Sequence, residues 1–199
     1  MTQQDQTPSA AGSSPAADGA LPGLARPGDP EPWELLGEKN VYDGFLTVNV
    51  RQYRMPSGRP AEWDVFGPRQ TSGVVGGITV LPLTPDGRVV AIRLFRAGPD
   101  RIVTNLPGGV IDPGEEPAAA GRRELTEETG YTCGSIEVVG WMWSAASSTY
   151  RKYVAIARDF EDIVPIELTV DELRRELRTP GAMTGTDAAY LALDHAGLL

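Results

Sequence analysis

The chain has almost none of the residues on which most enzyme chemistry relies. Its 199 residues include one cysteine, Cys133, and one histidine, His195. A lone cysteine excludes an internal disulfide framework and makes a cytoplasmic, reducing setting the natural expectation. A lone histidine excludes His-rich zinc sites and Cys-His clusters, and any Ser-His-Asp triad would have to use His195. Long apolar runs are missing too, so no segment is expected to span a membrane. Positive charge is in the minority, with 18 Lys+Arg against 27 Asp+Glu and a formal net charge of -9. That balance disfavours nucleic-acid backbones and anionic membranes, so neither is expected as a partner. What remains for chemistry is carboxylates, and the metal ions that carboxylates hold.

Hydrophobic residues make up 41% of the chain, enough for one globular domain at this length. They are not spread evenly. From Met1 to Pro32 the only large apolar residues are Met1, Leu21 and Leu24. Such a stretch cannot bury enough surface to offset its ordering entropy, which predicts a flexible tail over 1–32. It also lacks the basic start and apolar run of a secretory signal. Residues 33–199 then form the single folded domain.

Apolar and polar residues alternate from Phe45 to Tyr53 and from Glu62 to Phe66 around Pro56-Ser57-Gly58, which predicts a β-hairpin within an N-terminal β extension over 33–68. In the core, over 69–199, Gly73 to Leu83 is β-rich, Asp86-Gly87 is a hairpin turn, and Val89 to Phe95 returns. Ile136–Trp143 and Tyr153–Ala157 read as further strands. Ile166 to Val170 reads as a short strand running into a helix from Asp171 to Leu177, and a last helix begins near Thr184 or Thr186 and runs to about Leu193. Strands with one central helix and later ones suit an α/β fold, a mixed sheet covered on both faces.

The densest signal is GVIDPGEEPAAAGRRELTEETGY, Gly109 to Tyr131. Pro117 suits a first helical turn, Ala118 to Ala120 are strong helix formers, and Gly130 suits a left-handed C-terminal cap. Gly121 is the exception, costing about 1 kcal/mol against Ala unless close packing on a sheet requires it. On that helix Glu124, Glu127 and Glu128 stand at i, i+3 and i+4, so they share one face. Like charges so placed destabilise a bare helix, whereas a hard divalent cation prefers such oxygen ligands. Arg123 stands four residues before Glu127, where it can orient a carboxylate and hold it ionised.

The spacing, Gly, five residues, Glu115, seven residues, then Arg123-Glu124-Leu125-Thr126-Glu127-Glu128-Thr129-Gly130-Tyr131, resembles the signature box of the Nudix family at every defined position. The resemblance implies an α/β/α sandwich around a mixed sheet and metal-dependent hydrolysis of a phosphoanhydride. It implies Mg²⁺ or Mn²⁺, two or three ions, on Glu124 and Glu128, with Glu127 a further ligand or the base and the Gly108 carbonyl contributing. Glu115 braces the loop with Gly109 and Gly130, and Arg123 orients a glutamate. The hairpin at 45–66, the segment Val80 to Gly87 and Arg96 resemble the ADP-ribose and nucleoside-diphosphate-sugar pyrophosphatase branch. That branch implies a small nucleotide substrate, a nucleoside monophosphate product and a homodimer.

Three departures leave alternatives open. Asn105 stands where that branch usually has a Glu, Ser144 to Thr149 replaces a Ser-Pro-Gly segment, and Trp141 to Arg158 holds no acidic residue. The base is therefore Glu127 or a later acid such as Glu161, Asp162 or Glu167. Arg96, Asn105 and Trp143 are the candidate substrate contacts, with Arg93, Arg101, Arg151 and Lys152 as other cations. Nucleoside triphosphates, dinucleoside polyphosphates and coenzyme A are alternative substrates, and a catalytically weak nucleotide-binding regulator or an acidic interaction module are alternative roles.

Overall fold

The computed structural model describes residues 26–69, 76–161 and 166–199. The chain divides into two units, Met1–Pro32 and Trp33–Leu199. Of the first, residues 26–32 are described, where the Asp29 carboxylate accepts from the Arg26 N–H at 2.6 Å to close a turn. The tail expected over 1–32 otherwise falls on residues outside those described.

The second unit has nine strands and three helices among its described residues: β1 Glu34–Asp43, β2 Leu46–Arg54, β3 Pro60–Pro68, β4 Gly76–Pro82, β5 Arg88–Arg96, β6 Arg101–Asn105, α1 Pro117–Thr129, β7 Thr132–Trp143, β8 Arg151–Glu161, β9 Ile166–Thr169, α2 Val170–Arg178 and α3 Thr186–His195. They form three sheets, ordered β1-β2-β3, β4-β8-β7 and β6-β5-β9. Strands β4 and β8 are parallel; β7 runs antiparallel to β8.

Alternation along β4 and β8 builds the layers, because successive side chains point to opposite faces. Ile78, Val80, Tyr153, Ala155 and Ala157 meet Ala120 and Leu125 of α1. Leu81, Val154 and Ile156 meet Leu173 and Leu177 of α2 and Ala188, Ala189, Ala192 and Leu193 of α3. Each sheet strand thus feeds two cores, which is the α/β/α sandwich expected from the sequence. Helix α2 is closed by a capping box: the Thr169 hydroxyl accepts from the Glu172 N–H at 3.1 Å, and the Glu172 carboxylate accepts from the Thr169 N–H at 2.7 Å.

Two elements differ from expectation. The expected N-terminal hairpin forms as β2 and β3, and β1, which the sequence did not announce, pairs antiparallel with β2 from Glu34 to Asp43 and makes the extension three-stranded. Its sequence, ELLGEKNVYD, is exposed almost throughout and has no one-sided alternation to announce it. The turn at Asp86-Gly87 does form, with the Gly87 N–H donating to Thr84 at 2.9 Å. Yet the strands it joins separate after the Leu83–Val89 bridge into different sheets, β4 beside β8 and β5 between β6 and β9.

Gly121 owes its place to packing. A Cβ there would lie 2.8 Å from Ile136 Cδ1 and 3.3 Å from Val80 Cγ2, so α1 sits tight on the sheet. Leu125, fully buried one turn later, anchors the same face. We expect Leu125→Ala to lower the unfolding free energy by about 2–5 kcal/mol, as for other large-to-small core changes. Urea denaturation of the two proteins measures the difference.

Candidate active site

The loop before α1 runs beside β4. The Ile78 N–H donates to the Gly109 carbonyl at 2.9 Å, the Val80 N–H to Pro107 at 2.9 Å, and the Ile111 N–H to Gly76 at 3.0 Å. The approach is close enough to demand glycine. At Gly108, with φ +153°, a Cβ would overlap the Ile78 carbonyl, and at Gly109 it would overlap the Glu124 carboxylate. The two glycines therefore let one loop touch a strand on one side and the helix on the other.

Arg123 joins the loop to the helix. Its Nε and Nη2 donate to the two Glu115 oxygens at 3.0 and 2.9 Å, a bidentate pair. Nη2 also donates to the Val110 carbonyl at 2.9 Å. Nη1 donates to Glu124 at 2.7 Å and to Glu127 at 3.3 Å. The orienting arginine of the sequence reading thus serves three carboxylates rather than one, Glu115 foremost. Glu115 in turn accepts from the Asp112 N–H at 3.0 Å, which closes the Asp112-Pro113-Gly114 turn.

Glu128 reaches the other way and accepts from the Gly108 N–H at 2.8 Å. Burial pushes its carboxyl above the usual range; that N–H and the Arg96 charge pull it down, while Glu124 and Glu127 push it up. Three carboxylates also lie toward the C-terminal, dipole-negative end of α1, whose last turn holds no basic residue. A positive charge held among them would relieve both burdens. The donors are hard oxygens, the chemistry that Mg²⁺ and Mn²⁺ prefer, and the Gly109 cradle keeps Glu124 at the loop. The residues fit such an ion. Among the described residues, no three carboxylate, thiol or imidazole groups converge as the side chains stand.

Gly130 caps the helix with φ 76°, its N–H donating to Thr126 at 2.8 Å. Arg96 and Asn105 lie together at the entrance to the loop. With the Asn105 amide oriented so that its oxygen faces the guanidinium, that oxygen accepts from Arg96 Nε at 3.0 Å and Nη2 at 2.6 Å. Trp143 stands apart: its described partners are Trp141, edge-on at 5.0 Å, and Arg151, 5.5 Å above its ring. His195 is half exposed and 3.4 Å from Glu137. Cys133 sits beside Arg122, and burial raises its thiol. Of the later acids, Asp162 lies outside the described residues, and the side chains of Glu161 and Glu167 are likewise outside them.

Two participants carried no sequence signal. Val110 contributes through its carbonyl, which its side chain does not report. Tyr150 has its phenol pushed up by burial and by the Glu124 charge, and it lines a cavity of about 410 Å³ with Phe45, Phe66, Val110, Ile111 and Lys152. That volume lies within the range of small-molecule sites.

The Arg123 pair makes Glu115 a stability group with a pH signature. Arg123 and the Asp112 N–H hold its carboxyl below the usual range against a modest burial cost. A lowered folded value means the stabilisation is full above the ordinary carboxylate range and disappears as pH falls through the folded value. We expect Glu115→Gln to lose about 1.5–3 kcal/mol at pH 7 and the gap to shrink steadily below about pH 4. Thermal unfolding of both proteins from pH 3 to pH 8 measures it; a gap independent of pH would contradict the assignment.

Comparison with known proteins agrees with this geometry. The profile of the NUDIX domain matches residues 75–181. The ADP-ribose pyrophosphatase of Bacillus subtilis (strain 168) is 26% identical over 146 residues, 72% of this chain and 71% of that protein. The methanol dehydrogenase activator of Bacillus methanolicus is 29% identical over 183 residues, 82% of this chain and 94% of that one. The crystal structure of an ADP compounds hydrolase has a TM-score of 0.71 with 19% identity, covering 86% of this chain and 99% of the other, a likeness of fold. With more than half of its length inside the matched domain and the box helix built as described, the chain belongs to the NUDIX domain family.

Proposed function

We propose that this chain is a metal-dependent pyrophosphohydrolase. It cleaves the diphosphate of a nucleoside diphosphate joined to a second moiety, with ADP-ribose or a nucleotide sugar favoured, to a nucleoside monophosphate and a phosphorylated product. The observation that carries the reading is the complete carboxylate face of α1, held against the Gly108-Gly109 loop by Arg123 and by the Gly108 N–H. The likeness to the ADP-ribose pyrophosphatase of Bacillus subtilis supports the substrate class.

Glu124 and Glu128 would hold Mg²⁺ or Mn²⁺, with Glu127 and the Gly108 carbonyl as further donors. A divalent ion there neutralises diphosphate oxygens and acidifies a bound water. The protein's own part is positional. Arg123 orients Glu115, Glu124 and Glu127 by hydrogen bonds, and Arg96 offers a guanidinium to phosphate oxygens. Glu127, whose side chain is 60% exposed, would accept a proton from the attacking water. Water adds across the phosphoanhydride, its hydroxyl to one phosphorus and its proton to the leaving phosphate. The cavity beside Tyr150 takes the nucleoside or sugar part.

Trp33, Tyr42, Phe45 and Trp63 are exposed on or beside β1–β3, which supports a homodimer through this sheet. No helix among the described residues is long and apolar enough to cross a membrane; the cytoplasmic setting rests on cysteine usage. A second reading, a regulator of another protein, draws on the name of the Bacillus methanolicus relative.

A panel of ADP-ribose, nucleotide sugars, nucleoside triphosphates, dinucleoside polyphosphates and coenzyme A, with Mg²⁺ or Mn²⁺ and products identified by mass, tests the proposal. We expect diphosphates to turn over best, and Glu128→Gln to lose at least about a hundredfold in kcat with weaker Mn²⁺ binding by titration calorimetry. No turnover of any member by the wild type would favour the regulator; preference for triphosphates would sink the substrate class.

A further inference from the structure

Among the described residues the buried polar side chains are Thr104 and Asn105, adjacent at the end of β6. Buried polar groups need partners, and the Thr104 backbone and the Asn105 side chain have them from distant parts of the chain. The Thr104 N–H donates to Ala182 at 2.8 Å, and Thr104 bridges Met183 in the segment between α2 and α3. The Asn105 side-chain nitrogen donates to the Thr104 carbonyl at 2.7 Å and to the Thr184 hydroxyl at 2.9 Å. Its oxygen then faces Arg96, accepting from Nε at 3.0 Å and Nη2 at 2.6 Å, with the Thr184 hydroxyl also at 3.1 Å.

The reach of that contact is informative. Arg96 pairs with Arg101, whereas Asn105 pairs with Ile92, four residues away along β5. Four strand residues span about 13 Å, so the Arg96 side chain must lie back along the strand instead of extending into solvent from its end. Asn105 fixes it there, three residues before Gly108, whose N–H holds Glu128. Asn105 is also neutral. A carboxylate in the same place would form a bidentate ion pair and cancel the guanidinium's charge; an amide oxygen orients the group and leaves the charge in place.

We propose that Asn105 is a positioning residue, whose uncharged oxygen draws the Arg96 guanidinium back to the loop entrance and leaves its positive charge for an anionic phosphate of the substrate. This rests on the diphosphate reading above. Thr184 completes the device by fixing the amide, so the segment between α2 and α3 takes part in substrate binding without touching substrate.

The test is titration calorimetry with inorganic pyrophosphate at saturating Mg²⁺, on wild type, Asn105→Leu, Asn105→Asp, Arg96→Gln and the double variant Asn105→Leu/Arg96→Gln, with thermal melts as a check on folding. Asn105→Leu and Arg96→Gln should each weaken pyrophosphate about tenfold or more, and the double variant should be no weaker than Arg96→Gln alone. Asn105→Asp, nearly isosteric but without the donor to the Thr104 carbonyl, should melt somewhat lower, stay folded and still lose affinity, because it holds Arg96 but neutralises it. It also serves if Asn105→Leu does not fold. Penalties that add in the double variant, wild-type affinity in Asn105→Asp, or no pyrophosphate binding by the wild type would each overturn the proposal. The function reading fails separately: a wild type that shows the coupling but hydrolyses no diphosphate removes the enzyme and leaves the positioning role.

Discussion

The candidate site depends on one guanidinium. Arg123 gathers Glu115, the Val110 carbonyl, Glu124 and Glu127 within hydrogen-bonding distance, and so fixes the loop, the turn and the helix to one another. Without it, Glu115, Glu124 and Glu127 would lose the one cation they share, and Glu128 would keep its separate tie to the Gly108 N–H. An exposed ion pair contributes little, but this fork is bidentate on a largely buried Glu115 and belongs to a network. The two glycines at 108 and 109 are the complement of that fork, since they let the loop come close enough for it to be used. Positive charge and absent side chains act together at this point.

Much of this was legible because it is local. The α1 boundaries follow from Pro117 and Gly130, and both hold. The shared face of Glu124, Glu127 and Glu128 follows from helical spacing alone. The sandwich was implied by the family resemblance, and alternation in Val80–Leu81 and Val154–Ile156 is what builds its two cores in the structure. Even the anomaly at Gly121 resolved as close packing on Val80 and Ile136.

What was not legible is long-range. Strand β1 has no buried face, so its pattern carries no period to read. The separation of β4 from β5 depends on β8 entering beside β4, which a turn at Asp86-Gly87 does not report. Asn105 read as a departure at a candidate substrate position. Its partners, Arg96 and Thr184, come from two other parts of the chain, and only the fold assembles them. The same holds for Ser144 to Thr149, which in sequence is merely a polar loop without acids.

That loop is laced to the N-terminal sheet. The Phe66 N–H donates to Ser147, the Thr149 N–H donates back to Phe66, both at 2.9 Å, and the Trp63 indole donates to the Ser147 hydroxyl at 2.8 Å. Gly67 admits Thr149 where any Cβ would collide with it. The stitch lies next to Tyr150, and Phe66 and Tyr150 share the cavity wall. The β extension is therefore not a detachable ornament on a self-sufficient catalytic core. It is the framework of one wall of the cavity, so, under the proposed function, variation in this sheet would change ligand preference while the carboxylate helix stays unaltered.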